Sequence, residues 1–222
     1  MKMRIFKKRI LLISIIFLGL DGLISYSQDN IGIGIIRFDF NKTTIVDFYD
    51  KVEGKVNKRL SFYEQDKNID VFDKQHYGQI DWIEPEFGKA FDGDGIVNLF
   101  VLRCKQQIGQ WFEVIANKDN GQTYWIRQCN YTKFKTWEDY LKGMLIIRML
   151  NTNNGIFYEP KQNATRLKLG GENCFRATAM EGDWIKIIRY TNCLADLTLD
   201  KKPIGWIKWR NRESLLIEYD PW

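Results

Sequence analysis

Glu181-Gly182-Asp183-Trp184-Ile185-Lys186-Ile187-Ile188-Arg189-Tyr190 is the stretch whose reading decides the fold. A glycine turn feeds a strand that opens with Trp184, and after a polar loop Gly205-Trp206-Ile207-Lys208-Trp209 reads as its antiparallel partner. The same design stands upstream as Ile108-Gly109-Gln110-Trp111-Phe112-Glu113-Val114-Ile115-Ala116, answered by Tyr124-Trp125-Ile126-Arg127. One hairpin pattern occurring twice indicates a duplicated unit.

Further tags recur in the same order. Ile35-Ile36-Arg37, Phe48-Tyr49-Asp50 and Lys58-Arg59-Leu60 precede the first hairpin, while Ile146-Ile147-Arg148, Phe157-Tyr158-Glu159 and Arg166-Leu167 precede the second. The expectation is an all-β chain of two small barrels in tandem, spanning 28–141 and 142–222. The copies differ over 61–97, where the first carries about thirty additional residues, a length at which an insertion usually caps a fold or carries function. This insertion is acidic and holds His76, the chain's single histidine. Asp92-Gly93-Asp94-Gly95 lacks the later ligands of a calcium loop and reads as a solvated turn. Between the copies, Thr136-Trp137-Glu138-Asp139 reads as a capped helix start, with the short helix expected to close the first barrel.

Strand alternation separates the faces of each hairpin. Ile185 and Ile187 share one face, as do Phe112, Val114 and Ala116, and these all-apolar faces are expected to form the cores. Trp184 and Lys186 then share the opposite face, as do Trp206 with Lys208 and Trp125 with Arg127. If paired strands bring Trp184 beside Trp206 and Trp111 beside Trp125, aromatic pairs flanked by cations form a platform for sugar rings, peptide backbone or proline. The candidate ligand-binding residues are therefore Trp111, Trp125, Trp184, Trp206, Lys186 and Lys208. The competing expectation is that these rings cover an open side of a barrel or lie between the repeats.

Asp183-Trp184-Ile185-Lys186-Ile187, a loop and Gly205-Trp206-Ile207 resemble the end of a bacterial SH3-type (SH3b) domain, whose recurring marks are a Gly-x-Trp strand and a Gly-Trp-Val or Gly-Trp-Ile strand. In the first copy Tyr124 stands where that pattern has Gly. The resemblance implies SH3-like barrels that bind cell-wall or peptide ligands.

Charge and leader complete the expectation. Lys2, Arg4, Lys7, Lys8 and Arg9 precede an apolar run of 11 residues from Ile10 to Leu20, and Ser25-Tyr26-Ser27 offers small residues before a cut ahead of Gln28. Residues 1–27 thus read as a secretory signal peptide, and the protein as exported to the periplasm or beyond. The leader holds five of the 33 basic and one of the 28 acidic residues, so the remainder is nearly neutral, at 28 against 27. A neutral chain makes nucleic acid a poor partner, because phosphate neutralisation supplies most of that affinity. No span of the mature chain is expected to cross a membrane. The partners to expect are peptidoglycan, a peptide or an envelope protein.

Cys104, Cys129, Cys174 and Cys193 allow three disulfide connectivities if all four pair, and free thiols are the alternative. No zinc spacing, phosphate loop or nucleophile motif occurs, and no cofactor is called for. A non-enzymatic role is expected. The weaker alternatives are a protein that docks a partner through the acidic insertion or the repeat interface, and a hydrolase using carboxylates such as Glu84 and Glu86.

Overall fold

A computed structural model describes residues 31–39, 44–65, 68–73, 82–86, 90–92, 95–97, 100–151, 154–168, 173–193, 198–212 and 214–220. The signal peptide reading, His76, Gly93-Asp94 of the solvated-turn reading and other parts of the acidic insertion lie outside the described residues. The chain is nearly all β, with two antiparallel barrel-like sheets in tandem. The first contains β1 (Gly34–Phe38), β2 (Ile45–Tyr49), β3 (Val56–Gln65) and β4 (Asn68–Asp73). The insertion contributes a separate ribbon of β5 (Ala90–Asp92) and β6 (Gly95–Val97). The first sheet is completed by β7 (Phe100–Ile108), β8 (Trp111–Asn117), β9 (Gln122–Arg127) and β10 (Thr132–Thr136). After α1 (Trp137–Lys142), the second sheet is built from β11 (Ile146–Met149), β12 (Ile156–Phe157), β13 (Arg166–Leu167), β14 (Phe175–Glu181), β15 (Trp184–Arg189), β16 (Gly205–Lys208) and β17 (Ile217–Asp220).

The two strand orders coincide. The first sheet runs β10-β1-β7-β8-β9-β2-β3-β4 and the second, read from its other end, β17-β11-β14-β15-β16-β12-β13. Each strand of the second has its counterpart in the first, and β8 and β15 both open with the repeated Trp. The turns agree as well: Gly109 and Gly182 take positive φ values of 57° and 55°, a conformation glycine adopts without steric penalty. Even the irregularities agree, with register shifts between Cys104 and Gln106 and between Ala177 and Ala179 at corresponding points of β7 and β14.

Alternation sorts the residues as expected. Phe112, Val114, Ala116, Tyr124 and Ile126 enter the first core with Phe38, Phe48 and Leu60, and Ile185, Ile187 and Ile207 enter the second with Ile147, Phe175 and Trp209. Tyr124 and Gly205 occupy equivalent positions for different packing reasons. Tyr124 fills a pocket against Phe48 and Trp82, with ring centroids 6.1 and 5.7 Å away. A side chain at Gly205 would instead come within 2.7 Å of the Phe157 carbonyl.

The helix has the expected cap, with Thr136 Oγ1 accepting from the Asp139 amide at 3.1 Å, but not the expected destination. Trp137, Tyr140 and Leu141 join the second core, together with Ile31, Ile35 and Val101 from the first half. Ile35 and Val101 lie on the outer face of the first sheet, since Ile36 and Leu102 point into its own core. The helix therefore packs between the halves, where the Trp137 ring lies tilted against Trp209, centroids 5.4 Å apart, and donates to the Ile31 and Gly32 carbonyls. The insertion is partly core: Trp82 and Ile83 are buried in the first half. Cys174 and Cys193 form a disulfide, whereas Cys104 and Cys129 are free. Burial pushes the Cys104 thiol up to about 12.

Candidate functional site: two outward aromatic rows

All six candidate residues lie on the faces opposite the cores. Trp111, Trp125, Trp184, Trp206, Lys186 and Lys208 are each partly exposed. Strand pairing sets Trp184 opposite Lys208 and Trp206 opposite Lys186, and equivalently Trp111 opposite Arg127 and Trp125 opposite Glu113. The two tryptophans of each hairpin are thus diagonal neighbours, and the directly opposed partner of each is a charged residue. The expected neighbourhood of Trp184 with Trp206 and of Trp111 with Trp125 is thus diagonal rather than direct. The Lys186 ammonium lies 5.7 Å over the Trp206 ring, within cation–π range.

A third aromatic residue completes each row. Tyr49 on β2 pairs with Trp125 and packs edge-on against Trp111 at 5.0 Å. Phe157 on β12 pairs with Trp206 and packs edge-on against Trp184 at 5.3 Å. The repeated Phe-Tyr tags pointed here but align one residue out of step. The buried Phe48 corresponds to Ile156, which makes Tyr49 the equivalent of Phe157. A period of two allows no other match, because a shift of one residue moves a ring to the opposite face.

Each row crosses several strands. In the second sheet it reads Arg166, Phe157, Trp206, Lys186 from β13 to β15, and beside it run Lys208, Trp184 and Glu181. In the first sheet the corresponding row reads Val56, Tyr49, Trp125, Glu113.

Electrostatics differ between the copies. Glu113 is buried, and burial alone would raise its pKa, but hydrogen bonds from Gln106 at 2.5 Å and Thr123 at 2.8 Å, with the Lys105 charge at 3.3 Å, outweigh it and hold the carboxyl below its ordinary range. Arg103, also on the outer face, is paired with Glu86 at 2.6 Å. The equivalent Arg176 of the second sheet is exposed. Neither Lys186 nor Lys208 has a carboxylate at ion-pair distance among the described residues.

Glu84 and Glu86 serve different partners. Glu84 pairs with Lys118 at 3.1 Å, while Glu86 pairs with Arg103 and accepts from the Tyr219 hydroxyl at 2.8 Å, linking the insertion to the second half. Among the described residues, no group of three or more His, Cys, Asp or Glu is placed to hold a metal ion, and no helix is long and apolar enough to cross a membrane.

Fold and surface together define the class: an all-β protein of two tandem barrel-like sheets, each with an aromatic row on its outer face. No family model, curated protein or solved structure matches the chain.

Proposed function

We propose that the chain is an exported, non-catalytic binding protein of the bacterial cell envelope, whose SH3b-like barrels hold a cell-wall or peptide ligand on their outer faces. The observation that carries this reading is the duplicated, half-exposed row: Tyr49, Trp111 and Trp125 in one copy, Phe157, Trp184 and Trp206 in the other. Flat rings beside cations suit stacking against sugar rings and planar peptide groups while the cations meet polar substituents. The surface between the halves is filled by Trp137, Trp209 and Tyr219, so the repeated tryptophans remain outside it. That favours a platform over rings buried between repeats.

Cosedimentation with purified peptidoglycan and with whole envelope extract tests the proposal. Wild-type protein is expected in the pellet. Truncating a central aromatic anchor typically costs roughly 2 kcal/mol or more, so Trp206→Ala should weaken capture at least about thirtyfold. Equal capture by wild type and Trp206→Ala would count against the platform.

A further inference from the structure

The two rows share one scaffold and differ in charge. Where the second sheet ends its row on Lys186, the first ends on a Glu113 already neutralised by its own neighbours. Arg176 and Lys208 add to the second face, and the carboxylate beside them, Glu181, lies on the far side of Trp184 from Lys208. The first face holds Arg127 as the matching cation, with Arg103 committed to Glu86.

We propose that the outer face of the second sheet recognises an anionic glycan, a polymer of carboxylated sugars, with Trp184, Trp206 and Phe157 stacking on the rings and Lys186 and Lys208 meeting the carboxylates. The inference rests on the platform reading above and names the ligand class of one of its two faces. Charge complementarity selects an anion. The position of the row selects a sugar over an acidic peptide: β12, β16 and β15 are each hydrogen-bonded to a strand on both sides. A peptide laid across them finds no unpaired main-chain groups, which strand addition requires of an edge. Stacking on rings needs none. With strands about 4.8 Å apart, the four-strand row from Arg166 to Lys186 extends roughly 14 Å, longer than one pyranose ring, so the match is to an oligomer.

The test is calorimetric titration of the full chain with polygalacturonate, with dextran as the neutral glycan and poly-L-glutamate as the acidic peptide. Polygalacturonate is expected to bind, to weaken as salt is raised, and to bind at least about tenfold more weakly to Lys186→Gln/Lys208→Gln at an unchanged thermal midpoint. Lys142→Gln, on the helix and away from the face, should leave it unaltered. Dextran bound as tightly, poly-L-glutamate bound in preference, or no loss in the double variant would each overturn the assignment. If the chain still captures peptidoglycan through Trp206 but ignores polygalacturonate, the anionic-glycan inference alone falls. If it captures neither, the platform reading falls with it.

Discussion

Glu113 shows how one carboxylate can be buried on the outer face of a sheet. Its oxygens accept from Gln106 and Thr123 on the two flanking strands and lie beside Lys105. These partners stabilise the charged form more than burial penalises it, so its folded pKa lies below the ordinary value of 4.5. The stabilisation is fully present above that value and disappears as pH falls through the lower, folded pKa. Stability of the wild type should therefore decline on acidification below about pH 4.5 more steeply than that of Glu113→Gln, read as urea midpoints against pH. Parallel curves would show that the network does not carry the shift. Sequence periodicity put Glu113 on the outer face correctly, yet its burial was not legible, because its partners come from neighbouring strands whose register was unknown. Trp111, Trp125, Trp184 and Trp206 were legible for the opposite reason, since their side of the sheet depends only on the alternation of their own strands.

Among the elements, the hairpins are local and the connections between them are not. Gly109 and Gly182, with the Trp that follows each by two residues, specify turn and strand start within a few residues, and β8 and β15 begin where the pattern expects. The helix start was equally readable from Thr136 and Asp139. Its destination was not, because Trp137, Tyr140 and Leu141 announce a buried face without saying which core receives it. The acidic composition of the insertion likewise concealed Trp82, which packs 5.1 Å from Phe48. Disulfide pairing required coordinates too. Cys174 precedes β14 and Cys193 follows β15, and their bond, across a sequence separation of 19, ties the far end of this hairpin. Closing a loop of that size contributes about 3 kcal/mol, so Cys174→Ser/Cys193→Ser should lower the denaturant midpoint of oxidised protein by that equivalent. An unaltered midpoint would mean the bond adds nothing to the native hairpin.

At the scale of the molecule, the second core is completed by the helix and by Ile31, Ile35 and Val101 of the first half. Tyr219 reaches back across the same boundary to Glu86. Two halves sharing a core should unfold together, in one calorimetric transition. Trp137→Ala, which removes a buried ring from the shared region, should move that whole transition by the equivalent of about 3–5 kcal/mol. Two separate transitions, only one of them shifted, would show independent units. The repeated tags made the duplication readable, but its packing depends on what covers Ile35 and Val101 on the outer face, which alternation within their own strands does not say. Outward placement of the repeated tryptophans, with other rings building the core, is what the platform proposal requires. It is tested most directly by comparing the denaturation midpoints of Trp184→Ala and Trp209→Ala in the full chain. Trp209 is 1% exposed and donates to the Gly182 carbonyl at 3.0 Å, so its loss should cost about 3–5 kcal/mol. A much smaller loss is expected for Trp184→Ala, with the second sheet still folded; a loss equal to that of Trp209→Ala would show that the Trp184 ring belongs to the core.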